Sequence, residues 1–562
     1  MVKKTRQYKE ANDNNASRQA TKENYRIHNH NNKPTSTNNK ANNDMKKKAN
    51  RKLVPSKVYV RIRPMVFDGS GHDQNGAGVA KSLAAYSESS VTLQTQYMFS
   101  KGSNEYTFPQ KVFAPESTQT DVYETALPAL VEHVADNNND AMLLCYGQTG
   151  TGKTVTIFGF EASLQAQIQP PPKQLMEQGS CHPDWGILPR LTQDLFSKFS
   201  SKATRRVFVI AISAIEFYLD NIFDLLLDDS YNNDDNYKGT VRMDAQNKPA
   251  GYKRIILHEP RDIFDIIETI MARRATRGTH MNLNSSSKDK DEKGGGHHAG
   301  SSRSHCSVIF TILQVQNDID DADDKAENQI NENAANQNNL HQPSPKSTQK
   351  KALFKQTQFH LVDLAGAERP SKVGDGSDDV QGSGMMAEYK LWRGEPISAL
   401  EEGMLINYTL FELCREVKLA TELHKQRKPY RAPRQNCTNL IPYLGRCMDG
   451  RALLAMIVCL SQAPQCGWET WFSLNYGTDL SKLCTPVTAT TQAKWFELTK
   501  ALPQCQATLE KAEKALVDHE KQHAGSHLPN AKRWHGLKRT DVREAKEKLW
   551  LLEELRARLN RP

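Results

Sequence analysis

Residues 141–154 read AMLLCYGQTGTGKT, an apolar run that leads directly into the pattern GxxxxGK[ST]. Glycines in such a loop let successive backbone N–H groups converge on phosphate oxygens, and the helix that follows adds its positive N-terminal dipole. Lys153 is expected to reach the β- and γ-phosphates, and the Thr154 hydroxyl to ligate Mg²⁺. The residues expected to hold the phosphates are Gly147, Gln148, Thr149, Gly150, Thr151, Gly152, Lys153 and Thr154.

Other apolar runs of strand length flank this stretch. They lie at 53–64, 206–217, 307–315, 358–364 and 452–460. Several are continuous rather than alternating, which predicts strands buried on both faces of a mainly parallel sheet. Stretches with helical periodicity alternate with them, at Asp121–Ala135, Gly186–Phe199, Ile263–Arg274 and Glu401–Leu423. The alternation predicts a three-layer α/β domain with a central, mostly parallel sheet.

Composition divides the 562 residues into three parts. Residues 1–52 carry 14 Lys and Arg against 4 Asp and Glu and few apolar residues, which predicts a disordered, basic, Asn-rich tail. The folded domain is expected over residues 53–485, and residues 486–562 are expected to form a neck and C-terminal helices. Polar inserts within the domain predict disordered loops. These inserts are about 284–300, 317–351 and 370–386.

The C-terminal part has helical periodicity throughout. Leu502, Leu509 and Leu516 repeat every seven residues, and a second apolar stripe with 3–4 spacing begins at Val542. Neither stripe reaches the three or four heptads that indicate a coiled coil. Two interpretations therefore stay open: a short coiled coil that joins a homodimer, and a helical hairpin that folds against itself or against the main domain.

Composition also argues against several protein classes. No run approaches the ~18 apolar residues of a membrane helix, and the N-terminus is polar rather than signal-like. The ten cysteines form no CxxC pair, which indicates reduced thiols rather than a disulfide frame or a zinc site. The net charge of +9 belongs to the tail, which favours an acidic partner. We expect a cytoplasmic protein without a membrane partner, and nucleic acid is disfavoured because the tail lacks interleaved aromatic residues.

Two later segments indicate which kind of nucleotide enzyme this is. SSRSH, at 301–305, precedes one apolar run, and DLAGAE, at 363–368, follows another. An Asp at the end of a buried strand is well placed to hold the water shell of Mg²⁺, and the following Gly can donate its N–H to a γ-phosphate. Either segment alone could be a helix cap or a strand-to-loop turn, but the two in this order after a P-loop favour a nucleoside triphosphate site.

Taken together, these motifs resemble the kinesin motor domain. VYVRIRP at 58–64 looks like the first strand and adenine-side motif of that family, and GQTGTGKT, SSRSH and DLAGAE look like its P-loop, switch I and switch II. Weaker similarities follow in the same order, such as VFAPESTQTDVY at 112–123 and FSLNYGTDLSKL at 472–483. The resemblance covers roughly residues 53–485 and implies a kinesin-type P-loop NTPase fold.

The resemblance implies a site for ATP and Mg²⁺. Arg61, Arg63 and Pro64 would line the adenine pocket, with Tyr123 stacking nearby. Asp363 would anchor the water shell of Mg²⁺, and Thr154 would ligate the ion itself.

The resemblance also assigns residues to hydrolysis. Ser301 and Ser302 would sit at the γ-phosphate, and Ser302 would also contact Mg²⁺. Gly366 would sense the γ-phosphate, and Glu368 would pair with Arg303 to close the site and order the attacking water. These side chains position and stabilise charge, as phosphoryl transfer requires, and none is an obvious strong base.

The track-facing segments depart from the family pattern. The loop that should read PYRDSKLT reads PYRAPRQN at 429–436, and Arg434 stands where the pattern has Lys. Other cations on segments that face the track in this fold predict an electrostatic attraction to acidic tubulin. The candidate microtubule-binding residues are Lys372, Lys390, Arg393, Arg427, Lys428, Arg431 and Arg434.

The sequence therefore predicts a microtubule-stimulated ATPase that couples hydrolysis to movement or force, located on the microtubules or spindle of the cytoplasm. The altered track surface favours an alternative, a kinesin-like scaffold that binds microtubules with little motility. A microtubule-end destabiliser is a third alternative. In the kinesin family that activity goes with a basic segment just ahead of the motor, which residues 1–52 resemble in charge only.

Overall fold

The computed structural model describes residues 53–65, 81–97, 104–137, 139–159, 172–200, 207–227, 241–283, 303–315, 352–367, 390, 397–433, 438–486, 495–523 and 529–561. The predicted tail, residues 1–52, and the predicted inserts 284–300, 317–351 and 370–386 lie outside these residues.

A ten-stranded sheet forms the centre of the described part, with strand order β12-β8-β13-β14-β7-β15-β2-β6 and with β9 and β17 pairing on β8 and β14. Its strands are β2 (Lys57–Ile62), β6 (Lys111–Phe113), β7 (Asp140–Tyr146), β8 (Phe208–Tyr218), β9 (Asn221–Asp224), β12 (Ile255–Leu257), β13 (His305–Val315), β14 (Leu353–Asp363), β15 (Ala452–Leu460) and β17 (Phe496–Glu497). The smaller sheets pair β1 (Val54–Pro55) with β16 (Cys484–Thr485), β10 (Arg242–Met243) with β11 (Pro249–Ala250), and β3 (Leu83–Tyr86) with β4 (Ser90–Leu93) and β5 (Glu105–Thr107).

The central sheet is mixed, and its two halves differ. From β14 through β7, β15 and β2 to β6 every pairing is parallel, whereas β12, β8, β13 and β14 pair antiparallel. The predicted α/β class is confirmed, but the parallel arrangement holds for only one half. Continuous apolar runs indicate burial on both faces, which a central antiparallel strand has as well, so they do not determine strand direction.

Helices cover both faces of the sheet. They are α1 (Gln119–Ala126), α2 (Pro128–Ala135), α3 (Lys153–Phe158), α4 (Pro172–Glu177), α5 (Ile187–Ser200), α6 (Ile263–Leu283), α7 (Ala399–Lys425), α8 (Leu440–Met448), α9 (Gly467–Ser481), α10 (Leu498–Gln522) and α11 (Pro529–Leu559). One apolar core lies under α1, α2, α5 and α6, and a second lies under α7, α8 and α9. The predicted three layers are therefore present.

The C-terminal helices form a hairpin against the sheet. Leu509 of α10 packs with Val542 and Ala545 of α11. Leu552 and Leu555 of α11 are buried against side chains of β8, β12, β13 and β14. Of the two open interpretations, the structure contains the hairpin folded against the main domain, and this packing uses the apolar stripes that a dimeric coiled coil would need.

Two general features concern membrane-spanning helices and cysteines. No helix among the residues that the structure describes has the length and apolar character needed to cross a membrane. The nine cysteines among those residues are free thiols.

Candidate active site

The P-loop connects the end of β7 to the start of α3 with a backbone that only glycine adopts readily. Gly152 lies in the left-handed region at φ +93° and immediately precedes Lys153. At Gly147 a Cβ atom would lie 2.2 Å from the carbonyl oxygen of Cys459, so the loop packs directly on β15. The glycines therefore let the loop turn tightly beside the N-terminus of α3, which is the geometry of a phosphate cradle.

Lys153 is buried inside this loop. Its Nζ lies 3.0 Å from the carbonyl oxygen of Gly147 and 2.9 Å from that of Gln148. The Thr151 hydroxyl donates to the carbonyl of Gln148 over 2.7 Å and stiffens the same turn. The ammonium group is thus held at the centre of the loop, where a phosphate could replace the carbonyls as its partner.

A chain of polar contacts joins the P-loop helix to the end of β14. The Thr154 hydroxyl donates to Asp363 Oδ2 over 2.8 Å, and Arg274 Nη1 donates to the same oxygen over 2.9 Å. Glu216, at the end of β8, lies 3.9 Å from Arg274 Nε through its Oε1. The structure therefore brings the predicted pair Thr154 and Asp363 together and adds two residues that the sequence analysis missed.

The signals for the two missed residues were weak. Glu216 is a carboxylate inside the apolar run 206–217, and Arg274 ends the helical pattern that begins at Ile263. A charged residue in a buried strand needs a partner. The sequence could have indicated that Glu216 needs a cationic partner, but only the fold shows that this partner is Arg274.

The oxygen ligands around Asp363 fit Mg²⁺. Asp363 Oδ1 is buried and has no hydrogen-bond partner among the described residues, and the Thr154 hydroxyl lies beside the same carboxylate. Mg²⁺ prefers such hard oxygen ligands, together with phosphate oxygens and water. The described part of the chain contains no group of three His, Cys, Asp or Glu side chains arranged for a metal ion.

The start of switch II lies beside the P-loop. The Leu364 N–H donates to the carbonyl of Cys145 over 3.1 Å, and the Ala367 N–H approaches the carbonyl of Gly147 at 3.5 Å. Gly366 is buried between these two contacts. Its position is suitable for the predicted role of γ-phosphate sensor, which stays a prediction.

His305 connects the two switches. Its Nδ1 accepts the Ala365 N–H over 2.9 Å. Burial, reinforced by Arg274 and Lys153, lowers the pKa of His305 to about 3. The imidazole is therefore neutral and can accept this hydrogen bond, so the strand that follows SSRSH is joined to the segment that follows Asp363.

Arg303 of SSRSH has a partner that the sequence analysis did not predict. Its Nη1 donates to Glu402 Oε2 over 2.8 Å, and Glu402 lies in the first turn of α7. The predicted partner, Glu368, lies outside the described residues, as do Ser301 and Ser302, so their roles stay predictions. The contact to Glu402 connects switch I to α7.

The predicted adenine-side residues have different surroundings. Arg61 Nη1 donates to Gln119 Oε1 over 2.8 Å and to the Thr156 hydroxyl over 2.9 Å, beneath the P-loop helix. Arg63 donates to the carbonyl of Gly150, and Pro64 is exposed. Tyr123 is largely buried in the core, and its hydroxyl donates to Asp194 over 2.8 Å. The geometry thus gives Arg63 a place beside the phosphate loop, while the stacking of Tyr123 on a base stays a prediction.

The candidate track surface is part charged and part apolar. Of the predicted cations, Arg427, Lys428 and Arg431 are exposed, and Lys390 Nζ lies 2.7 Å from Glu401 Oε1. Lys372, Arg393 and Arg434 lie outside the described residues. The sequence analysis missed a set of exposed apolar side chains on α7 and α9. These are Tyr408, Phe411, Leu419 and Phe472, of which Phe411 is the most exposed at 66%.

Comparison with known proteins gives a consistent family. The model of the kinesin motor domain matches residues 61–483. The chain is 26% identical over 434 residues to kinesin-like protein Klp61F of Drosophila melanogaster, which covers 76% of this chain and 32% of that protein. It is 26% identical over 427 residues to kinesin-like protein 3 of Schizosaccharomyces pombe, which covers 76% of this chain and 58% of that protein. The chain thus spans less than two thirds of these curated relatives.

Solved structures share the fold. A fast kinesin superposes with a TM-score of 0.50 at 20% identity and covers 78% of this chain and 94% of that one. A KIF14 dimer bound to a microtubule superposes with a TM-score of 0.53 at 20% identity and covers 78% and 96% of the two chains. At this identity the similarity is one of fold alone.

Proposed function

The chain belongs to the kinesin motor-domain family, and from this premise we propose that it is a microtubule-stimulated ATPase that couples ATP hydrolysis to movement or force. The observation that carries the proposal is the set of contacts from Lys153 and Thr154 to Asp363, at the end of β14, and from Ala365 to His305, at the start of the strand that follows SSRSH.

The chemistry would rest on position and charge. Lys153 would hold the phosphates, and Thr154 and Asp363 would hold Mg²⁺ and its waters. Bound Mg²⁺ would neutralise charge on the phosphates during transfer. Gly366 would bind the γ-phosphate through its N–H, and the expected contribution of Ser301, Ser302 and Glu368 is to order water beside it.

The contact between Arg303 and Glu402 supports a coupling route from nucleotide to track. Switch I of a P-loop enzyme rearranges when the γ-phosphate leaves. Arg303 is held by the first turn of α7, and the exposed side chains of that helix belong to the candidate track surface. A movement of Arg303 would therefore bear directly on α7.

We propose tubulin as the partner and the microtubule cytoskeleton as the location. Exposed Arg427, Lys428 and Arg431 would attract its acidic surface, and the exposed side chains of α7 would add apolar contact. Because the hairpin of α10 and α11 buries its own apolar stripes, these helices favour a monomeric motor over the homodimer considered from the sequence.

A second candidate is a microtubule-binding scaffold with little motility. The observation in its favour is the apolar character of the α7 surface, where Phe411 is 66% exposed and Arg415 is engaged by Glu412 at 3.0 Å. Salt screens ion pairs but does not weaken apolar contacts in the same way. A motor must release its track in each cycle, so a surface that binds mainly through apolar contacts would suit a scaffold that stays bound.

Steady-state ATPase of the full chain with and without taxol-stabilised microtubules tests the proposal. We expect microtubules to raise turnover at least about tenfold, because track binding must accelerate a step of the cycle to be useful. Gliding assays would then give the direction of movement. A basal rate that microtubules do not change at low salt, with cosedimentation retained, would overturn the motor and support the scaffold.

Replacing Glu402 with alanine should uncouple the track from the nucleotide site. The change leaves Arg303 without its α7 partner, so we expect microtubule stimulation to fall at least about fivefold, since one charge-assisted hydrogen bond contributes about 1.5–3 kcal/mol. Basal turnover should change less than the stimulated rate. Glu513→Ala, which removes a surface carboxylate of α10 that pairs with Lys546, is the control outside the candidate track surface. Equal stimulation in both variants would contradict the route through Arg303.

A further inference from the structure

Three buried charges lie behind the nucleotide site. Arg274 and the carboxylates of Glu216 and Asp363 are each at most 2% exposed. Arg274 donates to Asp363 over 2.9 Å and lies 3.9 Å from Glu216. A single buried cation is thus placed between two buried anions, and each anion lowers the cost of burying the cation.

Glu216 is also joined to the segment before β13. Its Oε1 accepts the Ser304 hydroxyl over 2.6 Å, and in the sheet Glu216 pairs with Cys306 of that strand. The carboxylate is therefore fixed by a strand backbone, by a hydrogen bond and by the charge of Arg274. Through Arg274 the carboxylate is connected to Asp363, and through Ser304 it is connected to the segment that precedes β13.

Asp363 has one oxygen engaged and one available. Oδ2 accepts both Thr154 and Arg274, whereas Oδ1 is buried and has no partner among the described residues. If Arg274 lost the charge of Glu216, its attraction to Asp363 would be shared with one anion fewer. The guanidinium fork can bind both oxygens of a carboxylate at once, and Asp363 would then be withdrawn from a cation on its other side.

We infer that Glu216 is a positioning residue that shares Arg274 with Asp363 and so keeps Asp363 available to Mg²⁺ at the phosphates. The inference rests on the proposed function, because it assumes that the site binds nucleotide with Mg²⁺. It assigns to this chain a residue that determines how tightly the ion is held, without direct contact to the ion.

The isosteric variant Glu216→Gln tests this inference. It keeps the shape of the side chain and an acceptor for Ser304 but removes the charge that attracts Arg274. Binding of the fluorescent nucleotide mant-ATP is followed as Mg²⁺ is raised from micromolar to 10 mM. We expect the half-saturating Mg²⁺ concentration to rise about tenfold, the lower end of the loss that follows removal of a partner behind a metal ligand.

Two further variants separate positioning from structure. Ser304→Ala removes the hydrogen bond to Glu216 but keeps the charge, so its Mg²⁺ midpoint should stay within about twofold of wild type. Glu416→Gln neutralises another buried carboxylate, on α7, and should leave the midpoint unchanged. Glu216→Asp keeps the charge but draws it back by one methylene, and we expect a midpoint between those of wild type and Glu216→Gln.

The outcomes are distinct. A Glu216→Gln protein with a lower melting temperature but the wild-type Mg²⁺ midpoint would overturn the inference and leave the proposed function standing. If Glu216→Gln does not fold, an unchanged midpoint in Glu216→Asp would overturn it in the same way. Wild-type protein that fails to bind mant-ATP at any Mg²⁺ concentration would overturn both the inference and the proposed function.

Discussion

Replacing Lys153 with alanine is expected to abolish nucleotide-dependent stabilisation and to reduce ATP turnover at least about 100-fold, the loss typical of removing one charge-stabilising donor. The ammonium group lies between the carbonyls of Gly147 and Gln148, at the centre of the cradle that the P-loop forms. Arg63 also donates to a P-loop carbonyl, that of Gly150, but Lys153 is the cation held inside the turn, so alanine removes the charge expected to face the phosphates there.

A melting experiment measures this effect without turnover. Wild-type protein at a nucleotide concentration about 100 times Kd should gain about 2.7 kcal/mol of stability from Mg²⁺-ATP, whereas the variant should gain almost none. Lys173→Ala is the control, because Lys173 forms an exposed ion pair with Asp265 on the surface. A Lys153→Ala protein that keeps the wild-type melting shift would contradict the assignment of the phosphate site.

The local part of this site was predictable from sequence, and the reason is physical. The P-loop is set by consecutive residues, since its glycines and Lys153 act through backbone geometry within one turn. Asp363 was predictable because a buried apolar run ends at it. Arg274 and Glu216 were not, because a buried cation chooses its partners through strand order, and strand order depends on contacts about 60 to 90 residues apart.

In the fold, too, local features were predictable from the sequence and long-range pairings were not. The apolar runs predicted the strands, but not that β8 and β13 would run antiparallel beside the parallel half of the sheet. The periodicity of residues 486–562 predicted two helices, but an apolar stripe has the same spacing whether it packs against a second chain or against its own domain. The choice between a dimer and a hairpin therefore depended on an apolar face of the sheet, which the helices cover and which would be exposed without them.

That apolar face belongs to the end of the sheet opposite the nucleotide site. Val209 and Ala211 of β8, Leu313 of β13 and Phe354 of β14 lie there, while Asp363 lies at the other end of β14. The kinesin motor-domain match ends at residue 483, before the hairpin begins. The folded body of this chain therefore extends beyond the matched domain, and the boundary predicted at residue 485 divides elements that pack together.

Polar contacts fix the hairpin on the domain. Arg254 Nη2 lies 3.1 Å from Glu544 Oε1, with the two side chains 4% and 12% exposed. Glu544 also accepts the Gly251 N–H over 2.7 Å, and Glu547 accepts the Arg254 N–H over 2.9 Å. The ion pair and hydrogen bonds hold the pKa of Glu544 below its usual value despite its burial, which acts to raise the pKa. Such an interface has one register, because a displaced helix would leave these charges buried and unpaired.

The hairpin is therefore expected to be required for folding. A chain that ends at residue 497 would expose the apolar face of β8, β13 and β14, and we expect it to aggregate because monomeric proteins rarely leave so large an apolar patch uncovered.

In the full chain, Leu555→Ala should lower the free energy of unfolding by about 3 kcal/mol, since Leu555 is fully buried against that face. Val517→Ala, on the exposed side of α10, should change it by less than about 0.5 kcal/mol. Denaturant unfolding of the two variants decides the matter: equal stabilities would mean that the hairpin does not pack on the domain in solution, and the C-terminal helices would again be available to join a second chain.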